Sequence, residues 1–179
     1  MRLWIVSEPT FFDDLQRGGV RFGNWSHVDA AFERAYRWMA QQMSTRCLDC
    51  GGNPPIWAWH SCGAPERRFD MRSSRLARPA VRLTLDVPDS LVLLSCFEHW
   101  HAVLNNEFLA GSEAEQRRWD DEVSTTPEAQ SLKEQSWLRI FELGPWGDQD
   151  LLGSHQSLSV QACLPYLDHN WIRKTEHFR

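Results

Sequence analysis

Several segments of the chain alternate apolar and polar residues with a period of two, a pattern typical of half-buried β-strands. The alternation is strictest from Val81 to Val87 and recurs from Ser157 to Leu164, where Gln161 belongs to the polar set. By the same period Trp57 and Trp59 share one face of a third segment. Strands are predicted over residues 2–6, 56–60, 81–87, 91–94, 157–164 and 170–178.

Other segments repeat apolar residues every three or four positions, which predicts α-helices. Pro9 begins one that ends at the glycine pair 18–19. Ser26 followed by Asp29 resembles a capping box and predicts a helix over 27–43. A second such pair, Ser95 and Glu98, predicts a helix to about residue 108. Further predictions are a solvated helix or ordered loop at 112–123, a helix restarting at 126–128, and loops at 64–79 and 144–153.

Short helices interspersed among strands, without regular alternation, favour an α+β fold with small mixed or antiparallel sheets and flanking helices. The 179 residues are 42% hydrophobic, which is enough for a sizeable core, and we expect a single domain over 1–179. No stretch approaches the roughly 20 apolar residues of a membrane span. Polar residues follow the first short strand at once, so no export signal is expected and the predicted location is the cytoplasm. The net charge of -5, without a basic stripe, argues against general nucleic-acid binding.

Ten tryptophans predict either a bulky aromatic core or an aromatic-lined cleft, because indole combines a large apolar body with one N–H donor. The strand that carries Trp57 and Trp59 precedes an arginine-rich segment that includes Arg67, Arg68 and Arg72. Aromatic faces stack on heterocyclic bases and guanidinium groups bind phosphates, so this region is a candidate nucleotide-binding face. The alternative is that the tryptophans are core residues and the arginines are solvated.

A metal site is a further candidate. Cys47 and Cys50 have the spacing of half a zinc knuckle, and His60 and Cys62 follow, which gives thiolate and imidazole ligands of the kind that zinc prefers. His60 and Cys62 are separated by only one residue, a weak second half. The favoured interpretation is therefore free cysteines in a reducing compartment.

Short motifs follow one another in a specific order along nearly the whole chain. They are Leu3-Trp4, Ala35-Tyr36-Arg37-Trp38-Met39, Pro55-Ile56-Trp57-Ala58-Trp59, Asp86-Val87-Pro88-Asp89 with Leu93-Leu94-Ser95, Trp100-His101, Asn105 and Gln161-Ala162. This order resembles a family of uncharacterised bacterial proteins of about this length. That resemblance implies membership of the family and gives no information about activity.

Trp4 and Ser7 on the first strand, the segment 57–60 on a middle strand and Gln161 on a late strand form a second pattern. Leu15 and Gly18 supply a helix and a glycine after the first strand. The whole layout resembles the ADP-ribosyltransferase fold. The resemblance implies NAD or a related nucleotide as cofactor and a protein or nucleic-acid acceptor for ADP-ribose.

The sequence departs from that fold's pattern at two positions. Ile5 stands where the resemblance expects a His or Arg that grips the cofactor, and Gln161 stands where it expects a carboxylate. An amide can hydrogen-bond a ribose but cannot act as a base.

The resemblance and the residues together give expected roles. Stacking on the adenine or nicotinamide ring is expected of Trp4, Tyr36 or Trp59, and hydrogen bonds to ribose or phosphate are expected of Ser7, His60 and Arg72. Gln161 is expected to orient the ribose, with Gln161 and His60 as the candidate catalytic pair. The alternative is a non-catalytic, tryptophan-rich binding module on the same scaffold.

Overall fold

The structure is a computed structural model that describes residues 1–63, 67–68, 70–71, 79–144, 147–148 and 159–178. Its strands are β1 (Arg2–Ser7), β2 (Val20–Arg21), β3 (Ile56–Ser61), β4 (Ala80–Asp86), β5 (Leu93–Cys96), β6 (Val160–Leu164), β7 (Leu167–Asp168) and β8 (Ile172–Phe178). Six of them form an antiparallel sheet in the order β5-β6-β3-β1-β4-β8. The short strands β2 and β7 pair with each other, also antiparallel.

The helices of the described residues are α1 (Pro9–Gly18), α2 (Glu33–Ser44), α3 (Phe97–Leu104), α4 (Glu113–Arg118) and α5 (Ala129–Ser136). A π-helical turn, Trp119–Val123, continues α4, and a 3-10 turn, Trp137–Phe141, continues α5. Proline at the first position of α1 is compatible with a helix start, and Gly19, at a φ of 74°, ends the helix by donating its N–H to the Leu15 carbonyl. This mixture confirms the predicted α+β class with antiparallel sheets.

The two faces of the large sheet are covered by different elements. Side chains that alternate along the central strands, among them Leu3, Ile5 and Leu83, pack on one face against Phe12 and Leu15 of α1. The opposite face, on the β5, β6 and β3 side, packs against the helices through the buried side chains Ala35, Trp38, Met39, Met43, Trp100, Val103, Trp137 and Ile140. Most of the fold's stabilisation comes from burying these two apolar surfaces.

Both predicted capping boxes are wrong. Asn24 and Asp29 each cap a 3-10 turn, accepting from the N–H groups of Ser26 and Ala31, and α2 begins only at Glu33. The helix predicted from Ser95 begins at Phe97 and ends at Leu104 rather than near 108. The Glu98 carboxylate instead accepts from the Ser159 N–H, a contact between distant segments that a local pattern does not contain.

The strand predictions are confirmed for 2–6, 56–60 and 81–87, with ends shifted by one residue. The strand predicted at 91–94 begins two residues late, because Asp89–Leu91 forms a 3-10 turn after Pro88. Loops were predicted at 64–79 and 144–153. Most residues of both segments lie outside the described part of the chain.

Candidate functional site

A large cleft opens at the end of the sheet where β1 ends and β3 and β4 begin. Its volume is about 1250 Å³, and its walls come from the ends of these strands, the first turns of α1, the segment 23–28 and α2. Ser7 and Tyr36, two of the predicted site residues, line this cleft together with Trp57.

One wall of the cleft is aromatic. The rings of Tyr36 and Trp57 meet edge to face with centroids 5.8 Å apart, and Trp57 lies 4.8 Å from Trp100 behind it. Burial raises the pKa of the Tyr36 hydroxyl, with Cys163 adding to the shift and Trp57 opposing it. This wall is therefore uncharged at neutral pH and suits a planar ring.

The polar groups of the cleft lie on the other side. Within the described residues, the buried Ser7 Oγ has no hydrogen-bond partner. The Asp14 carboxylate accepts from Arg21 at 2.8 Å and from Arg17 at 2.5 Å, and these partners, Arg21 first, lower its pKa. The Asp14 carboxylate is thus paired with two cations, whereas the Ser7 hydroxyl is a group that a ligand could engage.

A row of side chains crosses the face of the sheet that the helices partly cover. Antiparallel pairing sets Trp4 opposite both Trp59 and Thr84, Trp59 opposite Gln161, and Gln161 opposite Ser95. Paired residues project to the same face, so these five side chains form one line, which we call the central row. Three predicted site residues, Trp4, Trp59 and Gln161, are thus neighbours in space.

The central row is mostly buried. Trp4 is 7% exposed and Gln161 is 5% exposed, while Trp59 is half-buried with its ring centroid 4.8 Å from that of Phe97. Gln161 donates from Nε2 to Ser95 Oγ at 3.2 Å. The row contains no ionisable side chain, so its hydrogen-bonding chemistry is neutral.

The register corrects the expectation for Ile5. Ile5 pairs with Leu83 and packs in the core on the opposite face, against α1, so it does not face Gln161. Trp4 occupies the position across from Trp59 instead. The β1 residue in line with Gln161 across the sheet is therefore an aromatic.

The remaining predicted site residues lie differently. His60 follows Trp59 at a bulge, where the pairing of β3 with β6 shifts, and is half-buried. Neither His60 nor Gln161 lines the cleft. Arg72 lies outside the described residues, whereas Arg67 and Arg68 are exposed and Arg68 reaches Glu176 at 3.6 Å.

Sequence reasoning missed an arginine on the same face. Arg82, 4% exposed, donates to Glu176 at 3.1 and 2.9 Å and lies over the ring of Phe178. The hydrogen bond from Lys174 is the largest cause that lowers the pKa of the Glu176 carboxyl; burial opposes it, and Arg82 lowers the pKa further. The sequence does show Arg82 among the polar residues of the alternating strand β4. It does not show the partner, because Glu176 lies 94 positions away in the chain.

The candidate zinc ligands lie in different surroundings. Cys47 is exposed, Cys50 is buried with its Sγ 3.8 Å from Met43 Sδ, and Cys62 lies beyond the end of β3. Among the residues that the structure describes, no group of three His, Cys, Asp or Glu side chains is placed to hold a metal ion. Burial raises the pKa of the Cys50 and Cys62 thiols to about 11.

With these features, the chain is an α+β protein with an aromatic-walled cleft beside a neutral polar row. It belongs to the family described as Domain of unknown function (DUF3841), which matches residues 2–172. No curated protein and no solved structure matches the chain. In the described part of the chain, no helix has the length and apolar character needed to cross a membrane.

Proposed function

We propose that the chain binds NAD or a related nucleotide in the cleft and along the adjoining central row. The observation that carries the proposal is the line formed by Trp4, Trp59 and Gln161 on β1, β3 and β6. These are the strands to which the ADP-ribosyltransferase resemblance assigns functional residues, and they are neighbours in the sheet. Three positions far apart in sequence thus meet on one face.

The cleft supports the same proposal by its size and chemistry. Its volume of about 1250 Å³ is above the roughly 300–1,000 Å³ of ordinary ligand pockets and leaves room for a dinucleotide. Tyr36 and Trp57 offer ring edges and faces to a heterocycle, and Ser7 offers a hydroxyl. Trp57 and Trp59 are two residues apart on one face, about 7 Å along the strand. We propose that an extended ligand in the cleft reaches the row at Trp59, which is its half-buried member.

The chemistry that this site would support is transfer of ADP-ribose to a macromolecular acceptor. The glycosidic bond from C1′ to the nicotinamide nitrogen breaks, and nicotinamide leaves with the bonding electrons. The acceptor forms a bond to C1′ and loses a proton. Gln161 contributes by hydrogen-bonding the ribose as positive charge develops, which is positioning rather than proton transfer. His60, next to Trp59, is the titratable residue proposed to take the acceptor's proton.

A second candidate, a non-catalytic binding module, is favoured by a specific observation. Gln161 is an amide, 5% exposed and hydrogen-bonded to Ser95, and the β1 residue in line with it across the sheet is Trp4 rather than His or Arg. Such a site can hold a nucleotide without cleaving it. The two candidates share the ligand and differ in the fate of NAD.

The two tyrosines of the chain provide a matched test. Tyr36 lines the cleft and contacts the rings of Trp57 and Trp100. Tyr166, which does not line the cleft, is also half-buried and contacts Phe22 and Trp171. Replacing either by alanine removes two ring contacts, so the general cost in stability is similar and only Tyr36→Ala alters the cleft.

The measurement is the melting temperature with and without millimolar NAD. A ligand that binds only the native state raises it by mass action. We expect a rise for the wild type and Tyr166→Ala and a much smaller rise for Tyr36→Ala. The proposal fails if the wild type shows no rise, and the assignment of the cleft fails if both variants respond like the wild type.

A further inference from the structure

A second, smaller pocket lies between the two helical segments that follow α3. Its volume is about 330 Å³, and it shares no lining residue with the large cleft. One wall is α4 with its π-helical turn, and the other is α5 with its 3-10 turn. At about 30 Å³ for each water-sized group, a pocket of this volume holds about ten non-hydrogen atoms. We call it the helical pocket, and its lining includes Phe108, Arg118, Trp119, Val123, Leu132 and Arg139.

The π-helical turn forms part of the pocket wall. The N–H of Ser124 donates to the Trp119 carbonyl at 2.8 Å, five positions back in the chain instead of the four of an α-helix. Trp119 at the first position of the turn and Val123 at the last both line the pocket. Single π-helical turns are rare and are found frequently at functional sites. The turn is therefore an indication, independent of the pocket's volume, that this wall meets a ligand.

Part of the pocket lining is apolar. The ring of Phe108 stacks on that of Trp119 with centroids 4.3 Å apart and an angle of 2° between the planes. Trp119 is only 8% exposed, so the surrounding packing holds its indole in place. Leu132, on the wall formed by α5, is 40% exposed although it is a large apolar residue. An apolar ligand that covers Leu132 removes this surface from water, which favours binding.

The charged side chains of the pocket favour an anion. Glu115 accepts from both Nη atoms of Arg139, at 2.7 and 2.9 Å, so the charges of these two residues cancel. Arg118 leaves one positive charge on the lining. Its side chain is 74% exposed and donates from Nε to the exposed Glu122 at 3.3 Å. Exposed pairs of this kind contribute little to stability, so an anion from solution competes readily with Glu122 for the guanidinium.

A guanidinium group binds a carboxylate through two parallel hydrogen bonds. We propose that the helical pocket binds a small carboxylate whose apolar body has about seven carbon atoms. The carboxylate pairs with Arg118, and the apolar body packs on Trp119 and Leu132. This site is separate from the large cleft, and the inference does not rest on the proposed function.

The test uses three probes with the same six-carbon chain and different ends: hexanoate, 1-hexanol and hexylamine. Binding is followed by NMR through the indole N–H signals of the ten tryptophans, and the Trp119 signal is the one missing from Trp119→Phe. Hexanoate should shift this signal to saturation. Hexanol should bind about two- to fivefold more weakly, the value of an exposed ion pair, and hexylamine more weakly still. A Trp119 signal that no probe shifts, or tightest binding by hexylamine, overturns the inference.

Two adjacent arginines provide a matched test of the carboxylate contact. Arg117 and Arg118 are 68% and 74% exposed, and each pairs with a glutamate four positions away. Arg118 lines the pocket and Arg117 does not. Arg118→Gln should lower the affinity for hexanoate to that for hexanol, whereas Arg117→Gln should leave both affinities unchanged. Equal losses in the two variants would show a general effect of charge, and the contact with Arg118 would be wrong.

Two leucines provide the same kind of test for the apolar contact. Leu132 on α5 and Leu138 on the 3-10 turn that continues it are 40% and 42% exposed, but only the first lines the helical pocket. Leu132→Ser should weaken hexanoate and hexanol alike, by about two- to fivefold, because both probes cover this side chain. Leu138→Ser should weaken neither. If Leu132→Ser binds both probes as the wild type does, the apolar body lies elsewhere and the inference fails.

Discussion

Trp59 on β3 and Gln161 on β6 stand directly opposite each other in the sheet, although about a hundred residues separate them in the chain. Trp59 in turn faces Trp4 on β1, so an aromatic pair leads to a polar amide along one line. This geometry brings a stacking surface and a hydrogen-bonding group to adjacent positions. A ligand made of a planar ring joined to a sugar needs both.

The buried Arg82 should depend on Glu176 for stability. Glu176→Gln removes the carboxylate that accepts both guanidinium bonds of Arg82, so we expect a loss of about 2 kcal/mol in the free energy of unfolding at pH 7. Glu113→Gln breaks the exposed pair with Arg117 and should cost less than about 0.5 kcal/mol. Urea unfolding measures both. Equal losses in the two variants would contradict the account.

The same pair predicts a dependence on pH. Because the pKa of Glu176 is lowered in the folded protein, its contribution is present above the ordinary carboxyl pKa and is lost as pH falls through the lowered value. The difference in stability between wild type and Glu176→Gln should therefore be largest near neutral pH and shrink progressively below about pH 4.5. Unfolding curves between pH 7 and pH 3 measure it. A difference that stays constant or grows on acidification would rule out this role.

Gly23, in the wall of the cleft, should not tolerate a side chain. A Cβ at this position would lie 2.0 Å from the carbonyl oxygen of Pro54, a backbone atom that cannot move aside alone. We expect Gly23→Ala to lower stability by about 1–3 kcal/mol and to weaken NAD-dependent stabilisation. Thermal unfolding with and without NAD reports both effects.

Gly18 is the matched control for that substitution. A Cβ there meets nothing within 4 Å, and alanine is the better residue inside a helix. Gly18→Ala should be neutral or stabilising by up to about 1 kcal/mol. If Gly23→Ala is equally harmless, the close packing of residue 23 against Pro54 is wrong.

The cysteines should differ sharply in reactivity. Cys47 is exposed, whereas burial raises the pKa of the Cys96 thiol to about 11 and that of the fully buried Cys163 well above its usual value. Only the thiolate is alkylated at a useful rate. Native protein treated with iodoacetamide at pH 8 should carry the label first on Cys47, as located by peptide mass spectrometry. Early labelling of Cys96 or Cys163 would contradict the packing described.

Strand positions were predictable because alternation is a local signal. The face shared by Trp57 and Trp59 and the strand Val81–Val87 follow directly from a period of two. Which strands become neighbours, and in what register, depends on contacts between distant segments. Alternation therefore showed that Ile5 and Trp4 lie on opposite faces, but it could not show which of them faces Gln161.

The two helix starts predicted from capping boxes were wrong for a related reason. The pairs Ser26–Asp29 and Ser95–Glu98 have the spacing of a capping box, but other partners compete for the same groups. Asp29 caps its own 3-10 turn, and Glu98 accepts from Ser159 instead. The cleft was not predictable at all, since its walls come from β1, α1, α2 and two strand starts that meet only in the folded protein.

The central claim is that one nucleotide binds per chain, and native mass spectrometry of the wild-type protein with NAD tests it most directly. The account predicts a single NAD bound to each wild-type chain at millimolar NAD or below, and reduced occupancy for Gln161→Ala. Free nicotinamide in the same sample would establish cleavage, whereas intact bound NAD would favour the non-catalytic module. A wild-type spectrum without bound NAD, or with several bound copies that Gln161→Ala leaves unchanged, would contradict the account.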